Sequence, residues 1–169
     1  MRRLAALAGM AILAAPITAA AKPLGAAGPL DQHYLMNAME GDHFEIQGGA
    51  LAVAKAQCPA ITRLAKRLKA DHSKSLADAA KLARALSVSV PKRPSPSMQW
   101  ELKQVGSMTG AAFDKAYAAL EVKDHTEDIQ NAMEESSKGQ TAAVRQAARK
   151  ELPVLRVHLA LAHTAASTC

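Results

Sequence analysis

The chain has 169 residues, enough for one domain with a substantial core and too few for two large ones. Apolar residues make up 49% and aromatics only 3%, with alanine and leucine prominent and β-branched residues sparse; this argues against a sandwich or barrel and for an all-α fold. Removing residues 1–21 would take away Arg2 and Arg3 but no acid, lowering the formal charge from +6 to +4. With so small a balance, and aromatics that do not alternate with basic residues, no nucleic-acid partner is expected.

The chain begins Met1-Arg2-Arg3, followed by an apolar run from Leu4 to Ala15, Pro16, and the small residues Thr18-Ala19-Ala20-Ala21. A basic start, a short apolar core and an A-x-A cleavage pattern define a secretory signal peptide over 1–21. The run is too short to span a bilayer, which takes about 20 apolar residues. The expected mature protein begins near Lys22, lies in the periplasm or outside the cell, and has no stable membrane insertion. Residues 22–30 (KPLGAAGPL) read as a flexible Pro/Gly/Ala leader, and 31–169 as the domain.

From Asp31, a candidate N-cap, the pattern turns helical. Leu35, Met39, Ile46, Ala50 and Val53 mark the apolar stripe of a first long helix, which ends at Cys58-Pro59. A second helix carries Ile61, Leu64, Ala65, Leu68, Leu76, Ala79, Leu82 and Leu86 on one face. A Pro/Ser loop (87–96), a short helix around Met98 to Val105, and a break at Gly106 and Gly110 follow. The third long helix spans about Ala111 to Ser137 and is closed by Lys138-Gly139. The fourth spans about Gln140 to Ala166, with Pro153 inside it as an expected kink.

Four amphipathic helices of this length cannot bury their stripes singly and must pack as a bundle. The short first-to-second and third-to-fourth turns make antiparallel neighbours. The second-to-third connection is long enough to travel the whole bundle, which predicts a ferritin-like four-helix bundle with a crossover and a short extra helix within it.

At 100° per residue, His72 falls mid-stripe between Leu68 and Leu76, and His158 lies in the stripe of Val144, Ala148, Leu155 and Ala162, with Glu151 on the same face. His125 aligns with Ile129 and Ala132, and Asp124 lies seven residues after Tyr117. On the first helix, Glu45 lies on the stripe's flank and His43 nearer its centre. Glu45, His72, His125 and His158 all sit near mid-helix, so any antiparallel packing brings them to similar heights. One carboxylate and three imidazoles form a candidate ligand set for zinc, iron or copper, whereas calcium would not suit them. Equally open is the plainer reading that the histidines satisfy one another and fix packing. His33 and His163, near helix ends, read as solvated. Glu40-x-x-His43 matches a di-iron spacing but occurs once, and few carboxylates are expected to face inward, which disfavours a di-iron oxidase centre.

The stretches FEIQGGALAVAKA, LKADH, AAFDKAYAALEVKDH and LPVLRVHLALA together resemble exported bacterial ferritin-like proteins catalogued as domain of unknown function DUF4142, over about residues 31–166. By that resemblance Glu45, Asp71, His72, Asp114, Tyr117, His125 and His158 occupy the family's characteristic positions. It implies a helical bundle in the periplasm or cell envelope and no settled activity. Asp114 also has a structural role available, complementing a helix start, with Phe113 and Tyr117 packing the core.

Cys58 and Cys169 are the only cysteines. A plain up-and-down order would place them about 40 Å apart, and the crossover puts them at one end. There, a disulfide and two free thiols are both open. No phosphate loop, nucleophile elbow or Cys-x-x-Cys is present. Three functions stand: a bundle that sequesters or senses a transition metal in an envelope or stress role, a non-enzymatic interaction or structural protein (with a protein partner or as a homo-oligomer), and a metal-dependent oxidoreductase. The balance leans away from an enzyme.

Overall fold

The computed structural model describes residues 25–169; the signal peptide expected over 1–21 lies outside them. Five helices account for nearly all of this chain: α1 (Pro29–Lys55), α2 (Pro59–Ala85), α3 (Pro96–Gly106), α4 (Gly110–Lys138) and α5 (Ala142–Thr168), with no strand among the described residues. Helix begins two residues before Asp31. Ala27 is buried just ahead of it, so the leader expected over 22–30 is already packed at its C-terminal end. α5 runs unbroken through Pro153. No described helix is long and apolar enough to cross a membrane.

The helix ends fix the topology. Cys58, before α2, is disulfide-bonded to Cys169, after α5, with 6.0 Å between the Cα atoms. Asp114, the fifth residue of α4, accepts from the backbone N–H of Cys58 at 2.8 Å and of Gln57 at 3.2 Å. One end of the bundle therefore gathers the close of α1, the starts of α2 and α4, and the close of α5. At the other end Asp31, in the first turn of α1, accepts from Gln140 N (2.8 Å), Thr141 N (3.0 Å) and the Thr141 hydroxyl, as well as from Gly28 N (2.8 Å). α1 and α5 are thus parallel, as are α2 and α4, and each pair lies on a diagonal. α1 packs on α2 and α4, and α5 packs on α4 and α2. Residues 86–109 carry the chain from one end back to the other, as the crossover requires. α3 lies against α1 and α4 through Leu102 and Val105, and His43 Nε2 lies 3.2 Å from the Pro91 carbonyl, tying the incoming segment to α1.

Asp31 was expected to cap its own helix as the residue before it. Instead it sits inside the first turn and satisfies the exposed amides at the start of α5. Asp114 does the same for α2. The two positions share a local pattern, Asp31-x-x-Tyr34 and Asp114-x-x-Tyr117, so each helical pair closes the other's turn.

The core divides into two apolar plugs. One, at the disulfide end, contains Phe44, Ile61, Leu64, Leu68, Phe113 and Tyr117. The other, at the α4–α5 turn end, contains Leu35, Met39, Ala83, Val144 and Leu155. The stripe expected on α1 holds at Leu35 and Met39 and then shifts. Ala50 and Val53 are exposed, and Glu45, Gly48, Gly49 and Ala52 face inward instead. The glycines explain the shift: a Cβ on Gly49 would stand 2.8 Å from the Ala65 carbonyl oxygen, so α1 and α2 meet there backbone to backbone.

Candidate metal centre

Between the two plugs lies a polar layer at mid-bundle, and the expected heights are realised. His72, His125 and His158 are 5%, 0% and 1% exposed. Their ring centroids are 5.2–5.7 Å apart, and one nitrogen from each lies within 4.8 Å of the others. Three helices deliver them, α2, α4 and α5.

Each ring has one nitrogen on an oxygen partner. His158 Nε2 lies 2.9 Å from Asp71 Oδ2, and Asp71 also pairs with Arg67 one turn earlier. His125 Nδ1 donates to the Glu121 carbonyl at 3.0 Å. His72 Nδ1 lies 2.8 Å from Asp42 Oδ1. The remaining nitrogens have no oxygen partner. His125 Nε2 and His158 Nδ1 are 3.3 Å apart, and His72 Nε2 is buried with no hydrogen-bond partner. A carbonyl only accepts, so His125 must carry its proton on Nδ1 and present a lone pair at Nε2. His158, donating to the Asp71 carboxylate, presents a lone pair at Nδ1.

Burial keeps the rings neutral. It pushes His125 down to about 3, aided by neighbouring His72 and His158, and it lowers His72 and His158 as well. Asp71 goes the other way: burial alone would raise it, but the His158 hydrogen bond and Arg67 outweigh that and hold it ionised. Asp42 is pushed up to about 8 by burial.

Glu45 lies close to this group but not within it. It forms a second set with Glu121 and His125, on the Nδ1 side of that ring, with Oε1 3.9 Å from Nδ1. The four residues picked from the sequence therefore share one polar layer but divide into two sets joined at His125. Glu45 is fully buried and His43 only half-buried, reversing their expected placement on α1. His33 and His163 are exposed, as expected.

The expectation of few inward carboxylates is corrected. Asp42, Glu45, Glu121 and Asp124 are all buried, and Glu151 is held inside by Tyr34 Oη and Ser75 Oγ, each at 2.7 Å. Burial pushes Glu121 up to about 8 and Asp124 up to about 6, and holds Glu45 and Asp128 well above the ordinary carboxylate range. The signal was in the spacing: Tyr117, Glu121, Asp124 and Asp128 recur at four, three and four residues, continuing the α4 stripe. Reading acids as solvated by default hid it.

A cleft of about 590 Å³ between α2 and α5 reaches His72 and His158 from outside, lined also by Asp42, Asp71, Asp128 and Glu151. An ion held by the three histidines would be reachable from this side.

Comparison with known proteins places the chain in a family: residues 15–165 match domain of unknown function DUF4142, and the chain belongs to it. No curated protein matches the chain. Among solved structures, the crystal structure of a DUF305 fragment from Deinococcus radiodurans is similar. Its TM-score is 0.74 at 10% identity, over 85% of this chain and 99% of that one, a likeness of fold alone.

Proposed function

We propose that this domain holds one transition-metal ion, of the zinc, copper or iron class, through His72 Nε2, His125 Nε2 and His158 Nδ1. The observation that carries the reading is the 3.3 Å approach of two imidazole nitrogens, each oriented by its outer hydrogen bond to present a lone pair. Two lone pairs at that distance repel unless a cation lies between them. Nitrogens bound about 2.0–2.1 Å from a tetrahedral ion sit roughly 3.3 Å apart. The outer partners Asp71, Asp42 and the Glu121 carbonyl are the kind of support that orients metal-binding histidines.

In the metal-free protein at neutral pH, Asp42 keeps its proton and donates it to His72 Nδ1. With Nε2 as a ligand, His72 would take that proton onto Nδ1 and give up its Nε2 proton to solvent, so that uptake would release one proton there. The role is sequestration or sensing in the cell envelope. The export signal read over 1–21 and the Cys58–Cys169 disulfide, which an oxidising compartment preserves, both support that location.

A second reading keeps the histidines as packing. Here the His125–His158 approach is an N–H···N bond, which, with both outer hydrogen bonds kept, requires one further proton carried by either ring. Metal analysis of protein purified without chelator separates the two. One equivalent of metal in the wild type, lost in both His72→Ala and His158→Ala, is expected. A wild type that stays metal-free after incubation with zinc, copper and iron overturns the metal reading.

A further inference from the structure

On the far side of His125 from the three-histidine centre lies a second group of ligand-type atoms. Glu45 and Glu121 are both 0% exposed, and none of their four carboxylate oxygens has a hydrogen-bond partner. The Tyr117 hydroxyl, also fully buried, has none either. His125 Nδ1 lies 3.6 Å from Glu121 Oε2 and 3.9 Å from Glu45 Oε1, and one atom from each of the three residues falls within 4.8 Å of the others. Gly48 faces this group, where a Cβ would stand 3.6 Å from the Tyr117 ring and 3.9 Å from Glu121 Oε1. Two unpartnered carboxyl groups in a water-free interior are costly to ionise, and burial holds both protonated unless a cation displaces the protons.

We propose that Glu45, Glu121 and His125 Nδ1 form a second cation site, and that the His125 ring bridges it to the three-histidine centre. The bridge rests on the metal reading above, whereas the carboxylate site does not. Two carboxylates and one imidazole select a harder divalent ion, such as manganese(II), than three imidazoles do. Filling this site alone would send the carboxyl protons of Glu45 and Glu121 to solvent and break the Nδ1–H bond to the Glu121 carbonyl, the His125 proton moving to Nε2 and being donated to His158 Nδ1. With both sites filled, that proton leaves to solvent and the ring becomes a bridging imidazolate. Metal–nitrogen bonds of about 2 Å then set the two ions roughly 6 Å apart.

The test loads the full chain with one equivalent of zinc and then titrates manganese(II), followed by electron paramagnetic resonance. Wild type is expected to take one manganese per chain. Glu45→Gln/Glu121→Gln should hold its zinc and bind manganese at least about tenfold more weakly. His72→Ala should show the reverse, weakened zinc and retained manganese. A wild type that takes up no manganese at millimolar concentration, or a double variant that takes it up as well as wild type, overturns the site. Should the double variant not fold, bound manganese in the wild type reports its own ligands: coupling to one imidazole nitrogen is expected, and no nitrogen coupling overturns the site. In the wild type, manganese taken up with no zinc held overturns only the three-histidine reading, and zinc held with no manganese taken up overturns only this one.

Discussion

Asp71, on α2, holds Nε2 of His158, on α5, at 2.9 Å, leaving the ring's other nitrogen 3.3 Å from His125. Asp71 makes no contact with the centre of the cluster, yet it decides which His158 nitrogen carries the proton. Asp71→Ala is expected to weaken metal binding about 10–100-fold while leaving the bundle folded. Equilibrium dialysis against a competing chelator, with circular dichroism as the fold control, checks this.

The α4–α5 end should set much of the pH dependence of stability. Asp31 is buried, which alone would raise it, but hydrogen bonds from Thr141, Gly28 and Gln140 hold it down at about 2. A depressed carboxyl contributes stability that is present above its unfolded pKa near 4 and lost as pH falls through 2. Neutral Asn at this position should therefore lower stability at pH 7 by about 2 kcal/mol and flatten the acid limb between pH 4 and 2. Glu135 has the opposite sign. Burial and the adjacent Asp31 carboxylate push it up to about 7, so its contribution is present below pH 4.5 and lost as pH rises through 7. Glu135→Gln should reduce the fall in stability between pH 5 and 8. Urea denaturation at pH 3, 5 and 8 reads both effects.

The Cys58–Cys169 bond closes a loop with a sequence separation of 111 residues. Constraining a loop of that size in the unfolded chain contributes about 3–5 kcal/mol. The Cys58→Ser/Cys169→Ser variant should unfold at correspondingly lower denaturant. Its metal affinity should change little, because the polar layer lies at mid-bundle and not at the disulfide end.

Gly49 marks the closest approach of α1 and α2. A methyl group there meets the Ala65 carbonyl at 2.8 Å and Lys69 Cβ at 3.1 Å, and backbone yields poorly. Gly49→Ala should destabilise by about 1–3 kcal/mol despite alanine's better helix propensity. Thermal melting of the metal-free protein measures it.

Helix number, the crossover and the common height of His72, His125 and His158 were all legible in apolar spacing and loop length. The acids were not. Glu121, Asp124 and Asp42 sit in stripes that periodicity reveals, but carboxylates belong outside unless a partner is known, and the partners lie on other helices. The inward turn of Glu45 could not be read either, because it follows from the Gly48-Gly49 contact with α2 and α4. The aspartates of the repeated Asp-x-x-Tyr pattern act across the bundle on helix starts far away in the chain, which local capping rules do not anticipate.

Because Asp31 finishes the α4–α5 turn and Asp114 finishes the α1–α2 turn, neither hairpin is complete by itself. A chain cut within the crossover would yield two halves, each with bare amides at a helix start and one face of a divided core. Unfolding should therefore be all-or-none, and separately expressed halves should gain structure only when mixed.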